Sequence, residues 1–332
     1  LQDNTCRGKD QNKLMNAILK HFIWLSFLLH CACAPPRKAP SPQNGISLIV
    51  LGVAQDGGYP HAGCRRDCCR RVWSGSQPQR SPACLAIADY RSRKVWMFEA
   101  TPAYPAQWER VVEATGWTDK NVPDGIFLTH AHIGHYTGLM YLGREALGAK
   151  AVPVYALPLM KNFLENNGPW SQLVSLKNIA IQPLQRDSAM ELAPGIRVTP
   201  FTVPHRDEFS ETAGYRIEAA GKRILFIPDI DKWEKWERDI SREIQAVDIA
   251  FLDATFYKNG ELQRDMREIP HPFVEESMRL FDVLPKTEKA KVHFIHFNHT
   301  NPLLWDPAEV KAVEARGFQV AREGQVVPLS NQ

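Results

Sequence analysis

The chain has 332 residues, 44% hydrophobic and 23% charged, an ordinary globular composition with apolar material for one sizeable core or two small ones. Its formal net charge of +3 is mild, and no Lys/Arg stripe with interleaved aromatics is present, so nucleic acid is not an expected partner. The absence of internal repeats and long low-complexity runs argues against a repeat array or a disordered chain.

The N-terminal stretch reads as a leader. Lys13, Lys20 and His21 precede the apolar run "FIWLSFLL" (22–29), which is shorter than the ~20 apolar residues of a membrane-spanning helix. A basic stretch, a short apolar run and then small residues predict an export signal over 1–33, with Met15 as its start. In "LLHCACAPP", Cys31 or Cys33 is then a candidate lipidated cysteine, and the expected location is periplasmic or lipid-anchored to a membrane. An amphipathic or buried N-terminal helix is the alternative. Residues 34–45, "APPRKAPSPQNG", predict a Pro-rich tether.

The folded region is expected over 46–332. "ISLIVLGVA" (46–54) predicts a buried strand that ends in the glycine turn "QDGGYP". "ACLAIAD" (83–89) and "KVWMFEA" (94–100) predict a strand pair, and "PAQWERVVEATG" (105–116) has helical spacing. A strand over 124–129, a helix over 136–147, a strand over 151–157 and a helix over 158–168 follow. Strands are expected at 196–204, 212–220, 223–229, 248–256 and 291–297, with a helix near 271–283. This order predicts two mixed sheets packed together with helices outside.

"FLTHAHIGHYTGL" (127–139) places His130, His132 and His135 at a strand-to-helix turn. His130 and His132 alternate out of the strand end and can reach one ion, while His135 points to a neighbouring position. Imidazole suits zinc, iron and other first-row metals. His205 follows one later strand, Asp229 ends another, and His296 lies late in a third with His299 beyond it. Singly, each reads as an ordinary hydrogen-bonded residue. Together, at strand ends, they predict a metal centre.

The order His-x-His-x-x-His, His205, Asp229, His296 resembles the metallo-β-lactamase superfamily. "LGVAQDGGYPHAGC" and "FIHFNHTNPLLW" are similar to the branch that contains pyrroloquinoline quinone (PQQ) biosynthesis protein B, with the phosphonate-pathway phosphodiesterases as nearby relatives. The resemblance implies an α/β fold, a four-layer αββα sandwich with its metal site at one edge. It implies that His130, His132 and His205 hold a first metal, His135 and His296 a second, and that Asp229 bridges them. Glu99 stands where the family has an aspartate that braces the metal loop through hydrogen bonds. Asp253 is expected to hydrogen-bond a metal ligand. His271 is expected to protonate a leaving group, as in the phosphodiesterases; a solvent-facing helix start is the alternative.

Gly134 stands where the superfamily carries an acidic ligand of the second metal. One tight ion and a second, weak one are therefore expected, zinc first, with iron or manganese as alternatives. On this reading Gly134→Asp raises occupancy of the second site and His132→Ala removes the first ion. His299 is the nearest candidate to have taken over the missing ligand's role.

Relatives often bind a structural zinc through Cys-x-Cys-x-x-Cys. Here Cys64 and Cys69 match the outer positions, Arg66 occupies the middle one and Cys68 is the substitute. A disulfide, with Cys84 as a further partner, stays open, with free buried thiols behind both. Asp56 with Gly57 and Gly58 is a candidate loop at the pocket mouth, although Asp-Gly-Gly alone says only turn, and Trp233 and Trp236 read as packing or pocket wall. The function implied is a metal-dependent hydrolase acting on a small ester or phosphodiester. The alternatives are an iron-dependent oxidoreductase or hydroxylase of the PQQ branch, and a non-catalytic binding protein.

Overall fold

The computed structural model describes residues 45–330. The leader expected over 1–33 lies outside the described residues, as does the tether apart from Gly45. Among the described residues no helix is long and apolar enough to cross a membrane.

Strands β1 (Ile46–Gly52), β2 (Cys84–Asp89), β3 (Lys94–Phe98), β4 (Gly125–Phe127), β5 (Val152–Ala156) and β6 (Ile179–Pro183) belong to one seven-stranded sheet. Strands β7 (Met190–Ala193), β8 (Ile196–Val203), β9 (Thr212–Ala219), β10 (Lys222–Ile227), β11 (Ile249–Asp253), β12 (Val292–Ile295) and β13 (Gln319–Val320) form the other. The last strand, β14 (Val326–Pro328), returns to the first sheet beside β1. The strand orders are β14-β1-β2-β3-β4-β5-β6 and β13-β12-β11-β10-β9-β8-β7. Followed from β14 and from β7, each sheet runs through antiparallel pairs first and parallel pairs afterwards.

The helices are α1 (Asp67–Trp73), α2 (Tyr104–Thr115), α3 (Ile133–Tyr136), α4 (Pro158–Asn166), α5 (Trp170–Ser175), α6 (Ile240–Gln245), α7 (Val274–Leu280), α8 (Lys286–Lys289) and α9 (Pro307–Ala315). Val111 of α2, Met160 and Leu164 of α4 and Leu173 of α5 pack on one face of the first sheet, with Ile49, Ala86 and Met97. Ile244 of α6, Met278 of α7 and Val313 of α9 belong to the core built on the second sheet. Between the sheets, Phe98 stacks on Phe127 at 4.9 Å and meets Tyr215 edge-on at 5.6 Å. Tyr215 also donates its hydroxyl to the Leu128 carbonyl, tying the second sheet to the end of β4. The result is the expected four-layer αββα sandwich of the metallo-β-lactamase type.

The helix expected over 136–147 is not continuous. Helix α3 ends at Tyr136 and a 3₁₀ segment runs over Thr137–Leu142. The His135 carbonyl accepts from Ala100 N–H at 2.9 Å, and Gly138 N–H donates to the Ala100 carbonyl at 2.8 Å. Backbone groups that would propagate the helix are thus spent on the chain after β3. A Cβ on Gly138 would lie 2.1 Å from the Thr101 carbonyl oxygen, so only glycine permits this approach.

Candidate metal centre

Strands of both sheets end side by side at one edge, and the polar residues follow those ends. Glu99 follows β3; His130, His132 and His135 follow β4; His205 follows β8; Asp229 follows β10; His296 follows β12; and Asp253 closes β11. The buried strand bodies fix the spacing of the side chains they deliver.

Two donor groups share Asp229. His130, His132, His205 and Asp229 place their ligand atoms within 4.8 Å of one another, and so do Asp56, His135, Asp229 and His296. Asp229 Oδ2 lies 3.3 Å from His205 Nε2, 3.5 Å from His130 Nε2 and 3.7 Å from His135 Nε2. One carboxylate oxygen therefore faces both groups.

Four of the five imidazoles are hydrogen-bonded at the outer nitrogen; His205 Nδ1 is buried without such a partner. Thr129 Oγ1 donates to Glu99, which leaves it to accept from His130 Nδ1 at 2.9 Å. Thr255 Oγ1 donates to Asp253 and accepts from His296 Nδ1, also at 2.9 Å. His135 Nδ1 faces Glu99 at 3.2 Å, His132 Nε2 faces Glu208 at 2.9 Å and His205 Nδ1 faces Asp231 at 3.3 Å. For His130, His132 and His296 such partners set the tautomer and leave the inner nitrogen as a lone pair, while the inner Nε2 of His135 donates to Asp56 at 3.0 Å. His130 Nε2 and His132 Nδ1 then face each other across 2.8 Å. His205 Nε2, His296 Nε2 and Asp229 Oδ1 are buried with no hydrogen-bond partner. Buried lone pairs that converge without a donor are costly. A divalent first-row cation in each group satisfies them, so the residues present fit a metal centre.

Charge supports that fit. Burial would raise the Asp56 and Asp229 pKa values, but the neighbouring histidines, His135 and His296 for Asp56, His271 and His205 for Asp229, hold both well below the usual carboxylate range. Burial would lower His135, but Glu99 and Asp56 outweigh it and raise the ring well above its ordinary value. Burial, then the charge of His135, pushes His130 well down.

Asp56 is the residue that motif reading missed. The turn after β1 brings its Oδ1 to 3.0 Å from His135 Nε2 and 3.4 Å from His296 Nε2. Read as a turn residue, it stands at the second group. Glu208, Asp231, Thr129 and Thr255 were also passed over; a hydrogen-bonding side chain next to a predicted ligand is the signal that two of them carried, at Thr129 before His130 and Thr255 after Asp253.

Two expectations at this site are corrected. A Cβ on Gly134 would lie 2.3 Å from Asp56 Cα and 2.4 Å from its Cβ, so an acid at 134 collides with the residue already there. Gly134→Asp is therefore expected to disturb the second group instead of filling it. His299 does not stand in for the missing acid. It joins Cys64, Cys68 and Cys69, with ligand atoms within 4.8 Å.

Cys64 and Cys68 sulfurs are 3.9 Å apart, and Cys68 and Cys69 sulfurs 4.0 Å. A tetrahedron with zinc–sulfur bonds of ~2.3 Å has edges of about 3.8 Å. His299 Nδ1 is buried without a partner. The group thus fits a Cys₃His ion site. All four cysteines among the described residues are free. Cys84 is not a partner: it is buried in β2, its thiol donating to the Leu85 and Glu99 carbonyls at 3.7 and 3.6 Å.

His271 is buried just before α7, not solvent-facing. Its Nδ1 is 2.9 Å from Asp253 Oδ2 and 3.2 Å from Asp229 Oδ1. Burial would lower its pKa, but Asp253 and then Asp229 outweigh that and hold it well above the ordinary value. Trp233 and Trp236 are packing residues, donating their indole N–H groups to Ser277 Oγ and the Thr202 carbonyl. An open cavity of about 610 Å³ adjoins the second group, with Asp56 and Gly134 in its wall and Arg80 and His61 beside them.

The family model described as "Beta-lactamase superfamily domain" matches residues 98–297. Coenzyme PQQ synthesis protein B of Methylorubrum extorquens (strain PA1) is 26% identical, covering 86% of this chain and 100% of its own length. The protein of the same name from Rhizobium meliloti is 24% identical over 86% of this chain and 99% of its own. Zn(2+)-bound PqqB from Methylobacterium extorquens shares the fold at a TM-score of 0.72 and 23% identity, covering 85% of this chain and 100% of that one. A diphosphatase from the PhnP family shares it at a TM-score of 0.60 and 22% identity, covering 85% and 96%.

Proposed function

The chain belongs to the beta-lactamase superfamily, and from that premise we propose that it is a metal-dependent hydrolase of a small, anionic phosphodiester or ester. The observation that carries this reading is Asp229 Oδ2, set between two histidine groups at 3.3 to 3.7 Å. A carboxylate so placed suits a pair of ions that share it. Ions held there supply Lewis acidity and a deprotonated water at neutral pH. Zinc suits the nitrogen and oxygen donors, and the Zn(2+)-bound PqqB of like fold supports that choice.

The chain's own residues do the rest. Thr129, Glu208 and Thr255 hold His130, His132 and His296 in the tautomers that turn their inner nitrogens to the donor groups, and Glu99 orients His135. With Nδ1 donating to Asp253, a cationic His271 carries its second proton on Nε2 and offers it to a leaving oxygen. Arg80 and His61 line the adjoining cavity, where an anionic substrate arm is favoured; Arg110, also in its wall, is paired with Glu323.

The test is turnover of bis(p-nitrophenyl) phosphate by zinc-loaded protein. Activity in the wild type and its loss by at least a hundredfold in Asp229→Asn and tenfold or more in His271→Ala are expected. A second reading is a role like that of the PQQ synthesis proteins matched over their whole length, and we take its chemistry to be that of an iron-dependent oxidoreductase. Oxygen uptake by ferrous-loaded protein, with no phosphodiester turnover under any metal, would favour that reading instead.

A further inference from the structure

The turn after β1 is fixed against the strand end that carries His296. Gln55 N–H donates to the Phe297 carbonyl and Phe297 N–H to the Val53 carbonyl, both at 2.8 Å, and Gly58 N–H closes the turn onto the Gln55 carbonyl at 2.7 Å. This places Asp56 Oδ1 within 3.0 and 3.4 Å of the inner nitrogens of His135 and His296. His296 Nε2 is buried and has no hydrogen-bond partner. Gly134 is not in the left-handed region, so its backbone conformation does not demand glycine. The neighbour does: any Cβ there would lie 2.3 Å from Asp56 Cα. The two positions are therefore mutually exclusive. A side chain at 134 expels Asp56, and Asp56 in place requires that 134 have none.

We propose that Asp56 is the terminal carboxylate ligand of the second ion, and that Gly134 is the vacancy that admits it. The acid has moved from the histidine motif to a turn 78 positions earlier in the chain (134 − 56), and the second group keeps four donors: Asp56, His135, His296 and the shared Asp229. The inference rests on the metal centre of the reading above, not on hydrolysis.

The experiment counts ions per chain by native mass spectrometry after zinc loading and dialysis. Wild type, Asp56→Asn and Gly134→Ala are compared, with no substrate present. Asp56→Asn keeps the size of the side chain and removes its charge; Gly134→Ala adds only the Cβ that meets Asp56. Each is expected to hold one ion fewer than the wild type, with second-ion affinity at least tenfold weaker, while the ion of His130, His132 and His205 stays. Cobalt loading gives an independent readout, as loss of one visible-absorption component in each variant. An unchanged count and affinity in Asp56→Asn overturns the proposal, including the case in which the wild type itself holds no second ion. If Gly134→Ala does not fold, Asp56→Asn alone decides. Loss of the ion in a protein that never turns over a phosphodiester would leave this inference standing and sink the hydrolytic reading.

Discussion

Glu99 and His296 adopt φ values of 93° and 70°, in the region that residues with a Cβ avoid. Strain of this kind costs on the order of 1–3 kcal/mol per residue and persists only where the surroundings enforce it. Both side chains are fully buried at the donor groups. Glu99 faces Thr129 and His135 together, so one carboxylate orients an imidazole in each group, His130 through Thr129 and His135 directly. Glu99→Gln keeps the shape and removes the charge. Metal affinity is expected to fall about 10- to 100-fold, read by competition with a chromogenic chelator; unchanged affinity would reduce Glu99 to a packing residue. At this scale the histidines and Asp229 were legible because strand ends gather ligands in chain order. Asp56 was not, because its role depends on the space above Gly134, and a sequence does not display a void.

The hairpin β2–β3 shows how an element carries its own pH dependence. Asp89 ends β2 and accepts from Arg91 N–H and Nε and from Ser92 Oγ, at 3.1, 3.0 and 2.8 Å. Burial would raise its pKa, but the hydrogen bonds from Arg91 and Ser92 outweigh it and lower it. A depressed carboxylate contributes stability above the unfolded value, ~3.9, and loses it as pH falls through the folded value. Asp89→Asn should therefore lower the urea midpoint at pH 7 and narrow the gap to wild type at pH 2.5. An equal gap at both pH values would show that the turn's shape matters and its charge does not. The strands of this hairpin were legible from their apolar runs between polar turns. Strands β6, β7, β13 and β14 and helices α1, α5, α6, α8 and α9 were not assigned; β6, β7 and α1, for example, have few buried positions to give a period. The expected helix after His135 was cut short by the Ala100 backbone, a partner that periodicity cannot reveal.

Across the whole molecule, the two sheets repeat one plan of antiparallel then parallel pairing. Glu99 after β3 and Asp229 after β10 hold equivalent places in it, as do the histidine turn after β4 and Asp253 at the end of β11. No internal repeat is visible in the residues, because pairing direction is conserved without side-chain identity. The order of strands, then strands alternating with helices, suggested two packed sheets with helices outside, and the four-layer type came from the family resemblance.

Two short stretches of chain serve both candidate ion sites, the second donor group and the cysteine group. The stretch from Asp56 to Cys69 gives its carboxylate to one and its three thiols to the other, and the stretch from His296 to His299 gives an imidazole to each. The backbone bridge between Ala54 and Phe297 pins the two together. They act as the jaws of one vice, and the cysteine site is its screw. Loosening the screw is expected to slacken the grip on the second ion first, because Asp56 and His296 lie on the two pinned stretches whereas His130, His132, His205 and the shared Asp229 do not. Cys69→Ser should lower stability, because the binding free energy of a structural ion is folding free energy, and should release the second ion while the first remains. On the same reading thiol oxidation would act without any change in sequence, and the redox state of three sulfurs behind the cavity that His61 lines would set how many ions the edge of the sheets can keep.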